Sequence, residues 1–392
     1  MRQELYCRSL VIASALAASA APAQPTRPDN PSRIRVEADT PVSPNRFGLN
    51  YRMGFNISAK FKSLGGYPTL SNPGLTPDGQ PWNYDNGYVL EDKQGNASSL
   101  TWNWGYSGLP SSTGLPRRDA QLSPDGQFLF LSRSSASADV SSGDNQSDPQ
   151  SGLELTYNRE LGRSGKTSWG LEGAANYMNV SIRDNRTLYG SVTRQTDAYA
   201  FPPNPAPPPT YVTPPDPPYY GDFNGPVPGG PTRPVISQTP TAGQGFSTIV
   251  PDGVTIAGER KFQANVYGFR VGPYLEIPLS KKVALSLSGG LAVVSVSSQF
   301  SFNETVTIPG IPISGPGQNN VATHSGSGSH SGLLFGGYAS GSFSYAFNKA
   351  WSAALGAQYQ NVGRLSQQVG SKQAELDLSK TIFVTVGVGY SF

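Results

Sequence analysis

The chain has 392 residues, 14% of them charged and 10% aromatic, with 45 glycines, 35 prolines and a formal charge of +3. Charged residues are sparse against a usual ~25%, and 29 basic against 26 acidic side chains is too even a balance for a nucleic-acid partner. Downstream of the N-terminus there is no apolar run of about 18 residues, which excludes a helical membrane protein; a chain that crosses with alternating strands keeps an ordinary mean hydropathy, here -0.35.

Arg2 and Arg8 precede the apolar run 10–20, and Ala21-Pro22-Ala23 follows. This is the pattern of a secretory signal peptide over residues 1–23, cut after Ala23 or alternatively after Ala20. Cys7 lies ahead of the apolar run, badly placed for a lipoprotein anchor, so the processed chain is expected to hold no cysteine and hence no disulfide, thiolate metal site or cysteine nucleophile. Loss of Arg2, Glu4 and Arg8 leaves 27 basic and 25 acidic residues. Residues 24–46 are polar and proline-punctuated and read as a flexible segment before the first strand.

Phe47, Leu49, Tyr51, Met53, Phe55, Ile57, Ala59 and Phe61 alternate with small or polar residues, which predicts one spanning strand with an aromatic at each end. Residues 62–99 are rich in turn signals and read as a folded loop. Trp102, Trp104 and Tyr106 predict a second strand, and 128–138 a weaker third. Leu153, Leu155 and Tyr157 then lead through the turn 161–166 to Trp169, Leu171, Ala175 and Tyr177, a hairpin. Residues 184–258 lack sustained alternation, and 201–234 hold fourteen prolines, so this part is expected to form a Pro-rich loop outside any β ladder. Strands through Tyr267, Phe269, Val271, Leu275 and Ile277 and through Val283, Leu285, Leu287 and Leu291 flank the turn 280–282. A Gly/Ser/Pro-rich loop is predicted over 303–330. A hairpin turning at 348–350 and a loop at about 362–378 follow.

The closing stretch sets Ile382, Val384, Val386, Val388, Tyr390 and Phe392 against Thr381, Thr385, Gly387, Gly389 and Ser391, with Phe383 the one bulky residue on the second face. A greasy face ending in two aromatics, opposite a small or hydroxylic face, suits a strand between lipid and a narrow barrel interior. Tyr390 and the terminal Phe392 resemble the C-terminal signature of Gram-negative outer-membrane β-barrel proteins. The resemblance implies that these two residues are an assembly signal read by the barrel assembly machinery, and that the partners include outer-membrane lipids. The stretches 50–58, 86–89 and 102–106 resemble a further set of bacterial barrel proteins that bring no activity with them.

Loop lengths alternate short and long, as in outer-membrane barrels with short periplasmic turns and long extracellular loops. The expected fold is therefore an all-β transmembrane antiparallel up-and-down β-barrel over 47–392, of about ten strands, with eight or twelve as alternatives. Residues 24–46 would be periplasmic, the loop 184–258 extracellular, and the location the cell outer membrane.

The same alternation puts Arg52, Lys60, Glu154, Glu160, Glu172, Arg270 and Glu276 on inward positions, where charges of both signs would pair across the lumen. The bland reading of this set is a structural plug; the sharper one is a conduction path or a polar site near the mouth. His324 and His330 are the only histidines, and His330 beside Ser329 is a weak hint of an outer-membrane hydrolase, outweighed by the frequency of Ser in flexible tracts. No catalytic residue, metal set, phosphate loop or cofactor signature is assigned. The aromatics among the prolines at 201–223 read as a stiff spacer or an adhesive surface. The function expected is a non-enzymatic structural or surface-binding barrel, with a small passive pore as the alternative and an extracellular ligand that the sequence does not name.

Overall fold

The computed structural model describes residues 45–67, 83–95, 97–107, 109–110, 116–117, 121–202, 215–225, 234–308 and 321–392. The expected signal peptide, most of the segment 24–46 and the centre of the proline tract lie outside them. Eight long strands carry the architecture: β1 (Asn45–Phe55), β2 (Gln150–Ser164), β3 (Thr167–Asp184), β4 (Phe246–Pro278), β5 (Val283–Thr307), β6 (Val321–Ala346), β7 (Trp351–Asn361) and β8 (Thr381–Ser391). Each pairs antiparallel with the next in this order, and β8 returns to β1, so the ring closes. The fold is a transmembrane antiparallel β-barrel.

The ring has eight strands, the lower alternative, because two runs counted as spanning lie outside it. Trp104–Tyr106 pairs with Gly87–Val89 and Tyr219–Tyr220, and Phe128–Ser135 pairs with Leu188–Ala200. Trp104 and Tyr106 are fully buried and stack on each other at 6.0 Å. Their alternation around Gly105 serves a water-facing layer's own core, where aromatic burial is as favourable as it is at a membrane.

Three short turns lie at one end. Gly165 takes φ +61 between β2 and β3. Ser280 Oγ accepts from the Val283 amide at 3.1 Å between β4 and β5. Asn348 Oδ1 accepts from the Ala350 and Trp351 amides at 2.8 Å between β6 and β7. Just above these turns Phe47 meets Tyr157 at 5.0 Å and Phe392 at 5.5 Å, and Trp351 meets Tyr390 at 5.0 Å. Tyr177 and Tyr267, 5.2 Å apart, mark the opposite border of an outward apolar band. From Tyr177↔Tyr267 to Trp169↔Leu275 the ladder covers residues 267–275 of β4, close to the ~9–11 residues a tilted spanning strand needs.

Strands β4, β5 and β6 run well past that border, and along them the alternation persists while its polarity reverses. On β5 the outward residues are Leu285, Leu287, Leu291 and Val293, and then Ser295, Ser297, Gln299, Ser301 and Asn303. The inward ones are Ser286 and Ser288 within the membrane, and then Val294, Val296, Phe300 and Phe302. Within lipid the barrel is apolar outside; beyond it the same wall behaves as a sheet of a water-soluble protein, with its greasy face inward.

A four-stranded sheet fills that greasy face: Arg364–Val369 pairs with Lys372–Asp377, which pairs with Ser58–Lys62 and through it with Asn145–Gln146. Ile57, Phe61, Leu365 and Leu376 from this insert pack with Val180, Phe262, Val296 and Phe300 of the wall in one core. The sequence puts glycine where the insert lies closest. A Cβ at Gly328 would stand 2.9 Å from Val369 Cγ2, and one at Gly332 would collide with Leu365. The run 323–331, expected as loop, is therefore strand, its serines outward and its glycines beneath the hairpin. A further layer, formed by 83–95, 97–107, 121–135, 188–202 and 215–225, packs around Tyr84, Trp104, Leu129, Leu131 and Phe201.

Candidate functional site

The inward alternation of β1 to β4 delivers Arg52, Glu154, Glu172 and Arg270 to one level of the lumen, all buried. Arg52 Nη1 donates to Glu154 Oε2 at 2.6 Å, and Arg52 Nη2 to Gln360 Oε1 at 3.1 Å. Arg270 Nη2 donates to Glu154 Oε1 at 3.1 Å, and its Nη1 donates to Glu172. Glu172 also accepts from Asn158 Nδ2 at 2.8 Å and from Ser288 Oγ at 3.0 Å. Two guanidiniums and two carboxylates thus form a neutral chain across the barrel. Such pairs keep buried charge tolerable because nearly every donor and lone pair finds a partner. Two rings bracket the chain: Arg52 lies 3.4 Å above the centroid of Phe383, and Arg270 lies 4.7 Å from that of Tyr338.

Below the network Asn50, Thr156, Ser286, Ser340, Ser342 and Thr385 line a cavity of about 80 Å³, room for a few waters. Above it the interior is apolar, held by Met178, Val266, Val294 and the insert. The lumen therefore changes within a short distance from a charge network to a dry core.

Three of the inward charges do not join the network. Lys60 fails because the alternation from 47 to 61 is not one strand: Asn56 takes φ 57 and its amide donates to Asp148 Oδ2 at 2.8 Å, which ends β1 and turns 58–62 into the insert. There Lys60 lines a polar surface pocket with Asp144, Arg364 and Glu375. Glu160 sits beside an irregularity of the β2–β3 ladder and pairs with Arg163 at 2.5 Å. Glu276 pairs with Arg46 at 2.8 Å at the mouth near the short turns, about a quarter exposed. In each case the parity reading was local, and the strand's end or bulge carried the residue away from the membrane level.

A second buried cluster was not anticipated. Arg260 of β4 lies 3.9 Å from Asp184 Oδ2 and 3.7 Å from Glu304 Oε2, and Lys372 Nζ reaches Glu304 Oε1 at 2.6 Å. Lys372 also donates to the Gly65 carbonyl, and the Gly65 amide donates to Glu304 Oε1 at 3.1 Å. This cluster ties the insert to the wall. Its sequence signal is the inward parity that Asp184, Arg260 and Glu304 share with Ile182, Phe262 and Phe302, but Asp184 and Glu304 fall in the expected loops 184–258 and 303–330, and Arg260 lies ahead of the strand expected from Tyr267.

In the outer layer Tyr84 Oη donates to Asp197 Oδ2 at 2.7 Å and lies 2.7 Å from Tyr199 Oη, while Arg133 Nη2 donates to the same carboxylate at 2.5 Å. Burial pushes the Tyr84 phenol well above its ordinary value; Tyr199 and Asp197 push the same way, and Arg133 opposes them. Burial likewise raises the Asp85 carboxyl, against the opposing pull of Ser134 and Arg194.

Ser329 and His330 cannot act as a pair, because successive strand residues point to opposite faces. Ser329 lies on the outward, serine-bearing parity of β6; His330 lies on the inward parity, whose next histidine, His324, has its Nε2 2.9 Å from the Gly66 carbonyl. No group of three or more His, Cys, Asp or Glu placed to hold a metal ion occurs among the described residues. At the other end of the molecule Tyr390 packs on Trp351, Phe392 stacks on Phe47, and the Phe392 amide donates to the Asn45 carbonyl at 3.1 Å.

No family model matches the chain, and no curated protein matches it. Among solved structures it is similar to Gram-negative outer-membrane β-barrel proteins. Ail, the attachment invasion locus protein of Yersinia pestis, aligns at 9% identity over 89% of this chain and 99% of that one, with a TM-score of 0.24. OprG of Pseudomonas aeruginosa aligns at 9% identity over 88% and 96%, TM-score 0.25. The outer-membrane protease OmpT of Escherichia coli aligns at 7% identity over 91% and 99%, TM-score 0.27. The barrel assignment itself rests on the closed ring and its apolar band.

Proposed function

We propose that this chain is a non-enzymatic protein of the Gram-negative outer membrane, delivered there after signal-peptide cleavage, whose barrel is a closed anchor and whose working surface is the folded mass outside the membrane. The observation that carries this reading is the Arg52–Glu154–Arg270–Glu172 chain lying across the lumen beneath an apolar core. Charges satisfied by one another offer no free ligand to a passing ion, and a dry core above them is a desolvation barrier of several kcal/mol per ion. The layers built on the outer ends of β3–β6 and on 83–95, 97–107 and 121–135 are far larger than a connection between strands requires, which favours a structural or surface-binding role over transport.

The test is conductance in planar bilayers. Purified full-length protein inserted from detergent is expected to give no steady single-channel current. Discrete, reproducible steps from the wild-type protein would favour the passive pore instead.

A further inference from the structure

We propose that the part of the lumen between the charge network and the short turns is a blind vestibule, open to the periplasm, that binds a small soluble polyol phosphate. This takes from the outer-membrane reading only the side on which the short turns lie, and it concerns a site apart from the outer surface.

A barrel of eight strands is just wide enough for its own side chains to fill. Above the network they do fill it, with an apolar core. Below the network the inward positions are small. Gly48, Gly356 and Gly389 line the cavity of about 80 Å³. A Cβ at Gly356 would stand 2.9 Å from Thr385 Oγ1, one at Gly389 would stand 2.8 Å from Ser352 Oγ, and one at Gly48 would collide with Thr156 Oγ1. The glycines therefore leave the hydroxyls around them uncovered. Thr156, Ser286, Ser342, Ser344, Ser352 and Thr385 face this space, and none of their hydroxyls has a hydrogen-bond partner among the described residues.

Arg46, Ser344 and Ser352 also line a wider mouth of about 510 Å³, so the two spaces adjoin. The turns 280–282 and 348–350 bring Lys281, Lys282 and Lys349 to the rim of that mouth. Its carboxylate, Glu276, is taken by Arg46 at 2.8 Å. Lys282 Nζ lies 5.8 Å from the centroid of the Tyr345 ring. Lys281 and Lys349 have no ion-pair partner among the described residues.

Two chemistries thus meet along one axis. Hydroxyls, which both donate and accept, line the inner end; at the outer end ammonium groups outnumber carboxylates. Water satisfies the first alone, whereas a polyol carrying a compact anion satisfies both, and lysine binds phosphate as a point charge. Each polyol hydroxyl can replace a wall-bound water bond for bond, so little is lost on displacing it. In a confined mouth with low-dielectric walls the lysines attract an anion more strongly than they would on an open surface. Glu154 and Glu172 face the inner end, which turns the phosphate outward, toward Lys281 and Lys349. A phospholipid offers the same glycerol phosphate group, but its acyl chains cannot follow the headgroup into a polar lumen. The ligand is therefore a soluble one.

The test is a calorimetric titration of the full chain, folded in a non-ionic detergent, with glycerol phosphate, glycerol, inorganic phosphate and a short-chain phosphatidylglycerol. Glycerol phosphate is expected to bind about tenfold more tightly than any of the other three, the effect of one or two net hydrogen bonds. Lys281→Gln/Lys349→Gln should lower it to the level of glycerol, and Ser342→Ala/Ser344→Ala to the level of phosphate. These side chains hold nothing in place, so both variants should keep heat-modifiable migration. Phosphate binding as tightly as glycerol phosphate would reduce the site to a cationic rim and overturn the proposal. Equal binding of the lipid, undiminished binding by either folded variant, or no binding by the wild type would overturn it too. If a variant does not fold, the comparison of ligands on the wild type decides. Because the titration is done in detergent, its failure leaves the outer-membrane reading standing, whereas recovery of the chain outside the outer-membrane fraction of cells would sink that reading alone.

Discussion

Removing the Glu154 carboxylate is the perturbation the lumen feels most, because both guanidiniums share it. In Glu154→Gln the volume is kept and one acceptor oxygen remains, but two buried cations are left with Glu172 as their only carboxylate. Glu154 accepts at 2.6 Å from Arg52 and at 3.1 Å from Arg270, with a weaker third contact at 3.4 Å. Two good charge-assisted bonds at ~1.5–3 kcal/mol each, less one neutral bond of about 1 kcal/mol retained by the amide, give a loss of about 2–5 kcal/mol, overlapping the ~3–5 kcal/mol for breaking a buried ion pair from one side. The assay is urea unfolding of the barrel in detergent, followed by heat-modifiable migration and tryptophan emission. Arg52→Met should relieve part of the loss when added to Glu154→Gln, since Arg270 and Glu172 then remain as a matched pair; coupling of ~0.5–3 kcal/mol is expected. Lys60→Gln and Glu160→Gln, outside the network, should stay within about 0.5 kcal/mol. Strict additivity, or a Glu154→Gln loss no larger than that of Lys60→Gln, would refute the idea that these charges hold one another.

Deleting 201–234 should leave a heat-modifiable barrel but open the outer layer to protease, because it removes buried Phe201, the Tyr219–Tyr220 strand on Trp104–Tyr106, and Pro234, whose carbonyl accepts from Trp104 Nε1 at 2.8 Å; an unchanged digestion pattern would contradict this. Burial raises the folded-state pKa of Asp85 above its unfolded value, so in the window between the two the folded state holds the proton and the layer gains stability as pH falls. Hydrogen exchange over 84–107 should therefore slow on mild acidification in the wild type and respond less in Asp85→Asn; faster exchange at lower pH would reverse the sign and dismiss the argument. Removing Phe392 should impair outer-membrane assembly more than Phe383→Ala does, although each deletes one ring worth roughly 1.5–3 kcal/mol when buried; equal membrane levels of the two variants would leave Phe392 as packing only.

How much the sequence disclosed depended on whether polarity and parity agreed. In β8 and at the turns by Gly165, Ser280 and Asn348 the signals are local, lipid on one face and a tight reversal at the end, and they could be read directly. Beyond the tyrosine border the parity of β5 and β6 continues, but the apolar set moves from the outward to the inward face, so a search for outward grease ends the strands at Leu291 and Leu333. The run Thr323–Ser331 has no grease on either face: its inward Gly326 and Gly328 are explained by Phe302 of the neighbouring strand and by Val369, which arrives from a hairpin about forty residues further on in the sequence. Lys60 was misplaced for the converse reason, since nothing in the alternation of 47–61 announces the break that Asn56 makes with Asp148. The same inversion hides Asp184, Arg260 and Glu304 of the second cluster, which lie past the expected ends of their strands, while Lys372 belongs to the hairpin expected as a loop at about 362–378.

That inversion is the centre of the account, and a cysteine scan along β5 tests it most directly. The sequence holds one cysteine, Cys7, so with that residue replaced each position from 283 to 303 can be labelled singly and probed for quenching by a lipid-borne and by an aqueous quencher. Positions 285, 287, 291 and 293 are predicted to be quenched from lipid, 297, 299, 301 and 303 from water, and 294, 296 and 300 from neither. Lipid quenching that continued through 301, or aqueous quenching at 294, 296 and 300 equal to that at 297 and 299, would contradict a wall that is apolar outside within the membrane and apolar inside beyond it.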